Sequence, residues 1–279
     1  MKALNLQAYG KNEISFYLAV EEYLLNTFHE DVFFLWDLVP SIIIGRHQLL
    51  DAEVNVAYAN KINAKIYRRP SGGGAIFADE GCFMFSFVSK TISQEAAFKK
   101  YLALIVAALK KLDLDVYFSG RNDLMFKGKK FSGNAYYQNA QGSVLHGTFL
   151  FQTNLADLVK AITPDNEKLI SKGIKSVSER VINIGDYLKI SQGELMAYLV
   201  KEISNNQAEN LLTKEDYCQI KVLEKKYLQA EWIIGKNPPY TFKNEKRFSW
   251  GKITIFIDIK QNKVLKLDIK GDFLIAAAL

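Results

Sequence analysis

Three consecutive glycines follow two arginines in the segment RRPSGGGAIFADEGCFMFSF, which begins at Arg68. Glycine loses the most backbone entropy on folding, so such a run is costly unless the backbone must approach something closely. Successive backbone N–H groups can form a concavity that binds anions, and the guanidinium groups of Arg68 and Arg69 suit phosphate or carboxylate. This segment alone favours equally an anion site and a tight turn with solvent-facing arginines. It contains neither a Walker A loop nor a dinucleotide-binding fingerprint.

A second polar segment, GRNDLMFKGKKFSGNA, covers residues 120–135. If residues 129–135 are extended, alternation places Lys130, Ser132 and Asn134 on one face of the strand. A lysine in such a row offers a compact positive charge to phosphoryl or carboxylate oxygens. The alternative is an edge strand that its lysines keep soluble. The segment therefore predicts either one wall of a polar site or a protected sheet edge.

A single histidine, His146, stands in the third segment, HGTFLF. A lone histidine on a strand is more often structural than catalytic. His29 and His47 form no metal-binding spacing with it. The sequence alone supports no Ser-His-Asp or Cys-His arrangement. The sequence therefore identifies no metal ligands, and they remain unknown.

The pattern of apolar residues predicts the elements that must position these segments. A helical stripe covers residues 15–28, and a second helix capped by Asp51 is predicted to run to about Ile62. Strand patterns cover much of the chain from 32 to 151, with one long helix between them. Helical patterns dominate from 154 to 230, and a strand pair with a turn at 261–262 follows. We predict an α+β fold, a mixed sheet flanked by helices.

Pro238 and Pro239 suggest a boundary between two units. We therefore predict a catalytic domain at residues 1–237 and a small C-terminal accessory module at residues 238–279. The chain has 279 residues, 49% of them hydrophobic and 24% charged, which is enough for a sizeable core. No apolar run approaches the ~20 residues that cross a bilayer, and no secretory signal is evident, so we expect a cytoplasmic protein without a membrane partner.

The net charge of +6 favours anionic partners without choosing among them. No recognised DNA- or RNA-binding motif accompanies this charge, so a nucleic-acid partner is not expected. The two cysteines, Cys82 and Cys218, show neither a disulfide framework nor a CxxC site.

Taken together and in order, the motifs resemble those of the lipoate–protein ligase A family. The resemblance spans nearly the whole chain, and it rests on an ordered set of segments. These are SIIIGRHQ, RRPSGGGAIFADEG, GRNDL, GKKFSGNA, HGTFLF, KGIKSVSERVINI, KNPPY and FSWGKITIFIDI.

That resemblance implies a catalytic domain related to biotin–protein ligases, followed by a small accessory domain. It implies that lipoate and ATP, with Mg²⁺, first form lipoyl-adenylate. A lysine of a lipoyl domain then accepts the lipoyl group. The implied acceptors are E2 subunits of 2-oxoacid dehydrogenases and the glycine-cleavage H protein.

The resemblance also implies roles for individual residues, with Lys130 as the catalytic residue. The residues implied to bind ATP or the adenylate are Arg69, Gly73, Gly74, Ala75, Ile76, Phe77, Asp123 and Lys130. The residues implied to bind lipoate are Gly74, Lys130, Ala135, His146, Gly147 and Thr148. Asp123 is a candidate to orient either Mg²⁺ or the lysine. Phe77, Phe83 and Phe85 are candidates to wall an apolar slot for the dithiolane, although they could equally be ordinary core.

This chain departs from the family pattern at two positions near the expected lipoate pocket. Ala78 stands where relatives commonly have histidine, and Cys82 stands where they commonly have asparagine. The departures leave the substrate range open. The nearest alternative function is an ATP-independent octanoyl or lipoyl transferase, whose relatives use a cysteine nucleophile. Cys82 is the one cysteine near the motifs, but no neighbour in sequence is placed to activate it.

Overall fold

The computed structural model describes residues 1–90, 93–162, 179–207, 210–235, 240–260 and 263–272. Its strands form a seven-stranded mixed sheet and two three-stranded sheets. The strands in chain order are β1 (Lys2–Ala3), β2 (Val32–Asp37), β3 (Ser41–Ile44), β4 (Lys65–Arg68), β5 (Ile76–Ala78), β6 (Cys82–Ser89), β7 (Val116–Phe118), β8 (Asp123–Phe126), β9 (Lys129–Asn139), β10 (Gly142–Leu150), β11 (Phe242–Phe248), β12 (Gly251–Lys260) and β13 (Lys263–Gly271).

The helices of the described residues pack on both faces of the large sheet and against the small sheet formed by β3, β4 and β5. They are α1 (Ile14–Thr27), α2 (Leu50–Glu53), α3 (Val56–Lys61), α4 (Gln94–Lys110), α5 (Leu155–Ala161), α6 (Gln192–Ile203), α7 (Lys214–Tyr227) and α8 (Ala230–Ile234). Ser191 and Thr213 begin α6 and α7 with capping boxes, in which side chain and backbone satisfy each other's N-terminal groups. The predicted α+β class with a mixed sheet flanked by helices is confirmed.

The large sheet has the strand order β1-β2-β6-β10-β9-β8-β7. Strand β6 lies near its centre, and every residue of β6 is buried. Alternation sends Phe83, Phe85 and Phe87 to one face, where they pack with α4 and α6. Cys82 and Met84 face the other side, where they pack with α1. Each fully buried Phe or Met side chain contributes about 1.5–3 kcal/mol to the free energy of unfolding, so the two layers hold β6 and β10 rigidly beneath the site.

A smaller sheet, β4-β3-β5, presents the glycine segment at the edge of the molecule's core. Strand β3 pairs with β4 in parallel and with β5 antiparallel. The glycines therefore lie in the connection from β4 to β5, which must cross over β3. A side chain on Gly45, at the end of β3, would place its Cβ 2.2 Å from the carbonyl oxygen of Gly73. The loop thus crosses so closely that only glycine fits beneath it.

The prediction of one helix from Asp51 to about Ile62 is wrong. Two short helices, α2 and α3, occupy this segment, and Val54 between them is extended. Asn55 caps the second helix, because its side chain accepts a hydrogen bond from the N–H of Tyr58 at 2.9 Å. The cap residue and the apolar pattern are both visible in the sequence. The apolar residues of the two helices fit one continuous helical period, however, so the pattern does not show where the first helix ends.

The C-terminal module is a three-stranded antiparallel sheet rather than the predicted strand pair. The sequence pattern missed β11, because its residues FKNEKRF are mostly polar and exposed. The predicted turn at 261–262 and the proline boundary lie outside the described residues. The module contacts the remainder through a hydrogen bond from the N–H of Gly271 to the carbonyl of His47, 2.9 Å long. A second hydrogen bond, 2.8 Å long, runs from Arg121 to the carbonyl of Ser249.

Candidate functional site

The glycine loop, β9 and β10 surround a cavity of about 130 Å³. Most residues with implied binding roles are brought together there, although the loop, β9 and β10 are far apart in sequence. The lining residues are Arg69, Gly73, Gly74, Ala75, Ile76, Met84, Asn122, Lys130, Gly133, Asn134, Ala135, His146, Gly147 and Thr148. Phe77 and Asp123 are the two implied residues that do not line the cavity. Met84, Asn122 and Gly133 line it without having been predicted.

Arg69 is buried beneath the glycine loop and holds its shape. Its Nη2 donates to the carbonyls of Gly72 and Gly74, each at 2.7 Å. Its Nη1 donates to Ile43, at the end of the neighbouring strand, at 3.0 Å. Burial, together with the charge of Arg68, lowers the pKa of Arg69 to about 10, so the guanidinium is still charged at neutral pH.

This arrangement orients the backbone N–H groups of the loop. A trans peptide group points its N–H away from its C=O. The carbonyls of Gly72 and Gly74 point at Arg69, so the N–H groups of Gly73 and Ala75 point away from it. Both of those residues line the cavity. The loop therefore places two backbone N–H groups that Arg69 does not occupy in the wall of the cavity, and such groups can bind an anion.

Lys130 lies at the cavity beside Asp123. The Lys130 Nζ is 2.8 Å from Asp123 Oδ1, and both side chains are about one-third exposed (36% and 29%). Gly133 leaves room for the lysine, since a Cβ there would lie 2.7 Å from Nζ. The Asp123 carboxylate therefore holds the ammonium group at the edge of the cavity, although Asp123 does not line it.

A bulge in β9 sets the direction of Lys130. The register with β8 pairs Leu124 with Ser132 but Met125 with Lys130, so Phe131 is an extra residue. The prediction that Lys130, Ser132 and Asn134 share one face is therefore wrong for Lys130, which lies over Gly133. Ser132 is completely buried and does not line the cavity. A bulge cannot be read from alternation, because alternation assumes an unbroken ladder.

His146 is the centre of a buried polar network under the cavity. Its Nδ1 is 2.8 Å from Glu21 Oε1, and its Nε2 is 2.7 Å from Ser71 Oγ. Ser71 also accepts a hydrogen bond from Arg69 Nε at 3.0 Å. Ser86 Oγ donates to the same Glu21 oxygen at 2.5 Å. The network thus connects α1, β6 and β10 to the glycine loop.

The structure brings together a serine, a histidine and a carboxylate that the sequence alone did not indicate. These are Ser71, His146 and Glu21, and each is at most 1% exposed. The sequence pattern did not identify Glu21, which lies among apolar residues of α1. The one signal in the sequence was an acidic residue at a position where a buried side chain is expected. Ser71 does not line the cavity, whereas His146 does. The arrangement is therefore suited to positioning the loop rather than to attack by the serine.

The candidate aromatic slot is not found at this cavity. Phe83 and Phe85 pack on the opposite face of β6, and Phe77 packs against β3 and α3 in a separate cluster. Their alternative role, ordinary core, is the one the structure gives them. Met84 supplies the apolar side chain of β6 at the cavity.

The two departures from the family pattern, Ala78 and Cys82, do not line the cavity either. Both are fully buried in the core beside α1. Burial, with a smaller effect of the Asp79 carboxylate, raises the pKa of the Cys82 thiol far above its ordinary value. A thiol in this state is a poor nucleophile.

Residues 13–204 match the lipoyl protein ligase A/B catalytic domain. The chain belongs to this family. Residues 237–278 match the bacterial lipoate protein ligase C-terminus. The chain is 35% identical over 277 residues to a probable lipoate-protein ligase A of Mycoplasma pneumoniae, and the alignment covers 95% of this chain and 81% of that protein. It is 34% identical over 267 residues to the lipoate-protein ligase LplJ of Bacillus subtilis, covering 92% and 81%.

Solved structures of this family share the fold. The structure of P. falciparum LipL1 with lipoate aligns with a TM-score of 0.81 at 22% identity, covering 98% of this chain and 84% of that one. A bipartite lipoate protein ligase from Thermoplasma acidophilum, described with its E2 lipoyl domain, aligns with a TM-score of 0.77 at 25% identity, covering 86% and 98%. A lipoate-protein ligase A bound with ATP aligns at 0.71 and 23% identity, covering 84% and 98%.

The family motif KGIKSVSERVINI runs from residue 172, and residues 172–178 lie outside the described part of the chain. Its later residues reach the site. Val181 forms a parallel bridge with Lys130, and the N–H of Ile182 donates to the Lys130 carbonyl at 3.0 Å. The backbone of the motif thus supports the strand that carries the lysine.

The described residues contain no cluster of three His, Cys, Asp or Glu side chains that could hold a metal ion. Among the helices of those same residues, none has the length and apolar character that crossing a bilayer requires.

Proposed function

We propose that this chain is an ATP-dependent lipoate–protein ligase. It activates lipoate as lipoyl-AMP and transfers the lipoyl group to a lysine of a lipoyl domain. The observation that carries the proposal is the cavity that brings Lys130 to the oriented N–H groups of the glycine loop. Membership of the lipoyl protein ligase A/B family supports the same chemistry.

The first half-reaction joins two anions, and the site offsets their repulsion. A lipoate carboxylate oxygen attacks the α-phosphorus of ATP, and the bond to pyrophosphate breaks. In this proposal the Lys130 ammonium contacts the carboxylate and the α-phosphate, while the loop N–H groups contact phosphate oxygens. Fixed donors of this kind stabilise the charge that develops in the transition state. The Asp123 ion pair and the Arg69 bonds keep these donors in place before substrates arrive.

The second half-reaction breaks the mixed anhydride. The neutral amine of an acceptor lysine attacks the acyl carbonyl, an amide bond forms, AMP leaves and the amine loses a proton. The proposed acceptors are the lipoyl domains of 2-oxoacid dehydrogenase E2 subunits and the glycine-cleavage H protein. The Thermoplasma ligase that shares this fold is described with an E2 lipoyl domain, which supports the first of these acceptors.

Mg²⁺ fits this site as a companion of the ATP phosphates. Mg²⁺ usually keeps several waters and binds through one or two carboxylates plus substrate phosphates. Asp123 is one such carboxylate next to the cavity, and the described residues offer no denser cage. When bound, Mg²⁺ would supply positive charge to the phosphates, with Asp123 as its protein contact.

We place the reaction in the cytoplasm, where ATP is available. The proposed organisation is a catalytic unit at residues 1–237 followed by an accessory module at residues 238–279. The family matches at residues 13–204 and 237–278 support two units in this order.

Mass spectrometry of a purified apo-lipoyl domain tests the proposal directly. After incubation with the protein, lipoate, ATP and Mg²⁺, we expect the acceptor to gain one lipoyl group. Without ATP the acceptor should stay unmodified. Modification that proceeds equally without ATP would instead support an acyl transferase.

Replacing Cys82 with alanine separates the ligase from the transferase. Because the thiol is buried and its pKa is raised, we expect ligation to retain at least about half of its rate, as for a small change in a packed core. The readout is the rate of acceptor modification, compared with Cys218→Ala, which changes an exposed cysteine. A loss of acyl transfer in Cys82→Ala alone, with an unchanged circular dichroism spectrum, would contradict the ligase mechanism.

A further inference from the structure

A second cavity, of about 190 Å³, lies where the C-terminal module meets the rest of the chain. Its walls come from four places: the loop after β3, Arg68 at the end of β4, helix α8 with Gly235, and strand β13 of the module. It does not share a lining residue with the cavity at Lys130. The two cavities are therefore separate, and the two adjacent arginines, Arg68 and Arg69, divide between them.

Positive charge dominates the walls of this second cavity. The charged side chains that line it are Arg46, Arg68, Lys270 and Glu231, so three positive charges face one negative charge and two are left over. Asp268, the other acid near Lys270, already pairs with Lys266 at 3.0 Å. An excess of two positive charges in a half-enclosed space favours a dianion rather than a single carboxylate.

Arg68 gives the cavity a rigid wall. It is 5% exposed, and its Nη1 donates to the carbonyls of Gly45, Arg46 and Gln48 at 2.7–3.0 Å. On the other side its Nη2 donates to the carbonyl of Ile234 at 3.0 Å. Loop and helix are therefore fixed relative to each other. A site built on them needs little reorganisation to bind a ligand.

One neighbouring group reports the unbalanced charge. Burial, together with the charges of Arg46, Lys270 and Arg68, lowers the pKa of His47 to about 4. Gln48, which lines the cavity and is only 2% exposed, accepts a hydrogen bond from the N–H of Gly45 at 2.8 Å, and its side chain also interacts with the Glu53 carboxyl.

From this geometry we infer that the junction cavity binds a phosphate-class dianion, held by Arg46 of the catalytic unit and Lys270 of the C-terminal module. Arginine forks and lysine ammonium groups are suited to phosphate oxygens. Because Arg46 and Lys270 come from different units, the bound anion joins the module to the catalytic unit. The site lies beyond the proposed ligase reaction and does not depend on it.

The test uses the three histidines of the full chain as reporters, observed by NMR while inorganic phosphate, pyrophosphate or ATP is added. A nearby anion favours protonated imidazole, so we expect the pKa of His47 to rise by about one pH unit or more when the anion binds. The pKa of His29 should change less. A response to phosphate or pyrophosphate identifies a free anion as the ligand. A response to ATP alone identifies the phosphates of a nucleotide. No response of His47 to any of the three overturns the inference without the need for a variant.

A charge-matched pair of variants locates the site. The first double variant carries Arg46→Gln and Lys270→Gln. Its affinity for the anion, measured by calorimetry, should fall by at least about tenfold, because charge-assisted hydrogen bonds are lost. Lys260→Gln with Lys263→Gln removes the same charge from exposed residues of the same sheet and should leave the affinity within about twofold. Both experiments are repeated with Lys130→Met, so that binding at the first cavity is not counted. Equal weakening in the two double variants would show only a general charge effect and would refute the site.

Discussion

Replacing Lys130 with methionine is expected to reduce the rate of lipoyl-adenylate formation by about 10²–10³-fold, the usual cost of losing one preorganised donor in a transition state. Methionine keeps much of the length of the side chain but removes its charge. In the wild-type protein the Lys130 ammonium lies 2.8 Å from the Asp123 carboxylate. Without that ammonium, the carboxylate is unpaired and repels the incoming anions. The measurement is pyrophosphate release with saturating lipoate and ATP.

The matched control is Lys127→Met, in the turn of the same hairpin. Its ammonium lies over the Tyr187 ring, 4.2 Å from the centroid, and does not line the cavity. We expect this control to keep at least about half of the wild-type rate, as for an exposed charge. If Lys130→Met forms the adenylate at a rate close to that of Lys127→Met, the proposed role of Lys130 is wrong. A second measurement, transfer from presynthesised lipoyl-AMP, shows whether the loss is confined to activation.

Replacing Glu21 with leucine is expected to lower kcat/KM about 10–100-fold, through a residue that never touches the cavity. Leucine has a similar size but offers His146 Nδ1 no acceptor, and an unpaired buried donor costs about 1–3 kcal/mol. The imidazole would then turn or change tautomer, and Ser71 would lose its acceptor beneath the glycine loop. The measurements are steady-state kinetics for lipoate and ATP, and the ¹⁵N chemical shifts of the His146 ring.

Glu21→Gln is the conservative control, because its amide oxygen can still accept from His146 Nδ1. We expect it to recover most of the activity and a wild-type tautomer. Loss of stability alone would act differently. The midpoint temperature of thermal denaturation, Tm, would fall in Glu21→Leu, while the ¹⁵N chemical shifts of the His146 ring and the kcat/KM of the folded protein would stay unchanged. That pattern would contradict a positioning role for Glu21.

The sequence was most informative where one short segment carries its own chemistry. The glycine loop, Lys130 and the HGT segment could be assigned to one site through the ordered motifs, and the structure places them around one cavity. It was least informative about contacts between distant segments. Glu21 meets His146 across 125 positions of the chain, and no local pattern encodes that meeting.

Local rules also failed where the backbone is irregular. Alternation along β9 misplaced Lys130, because the extra residue Phe131 shifts the register by one. The aromatic residues of β6 were candidates for the cavity because period-2 alternation cannot say which face is which. That choice depends on where α1 and α4 pack, which is decided by tertiary structure. Met84, one residue away from two of those aromatics, is the side chain that faces the site.

Met84 gives the site a property that a phenylalanine there would not. The cavity, about 130 Å³, is smaller than the ~300 Å³ at which cavities for typical ligands begin. A thioether chain has three rotatable bonds and can be displaced at little cost, whereas an aromatic ring in a packed layer cannot. The Met84 side chain can therefore adapt to a ligand, whereas Arg69 fixes the glycine loop and the Asp123 ion pair fixes Lys130. We therefore expect such a site to recognise the acid head group strictly and to measure the length of the attached chain only loosely.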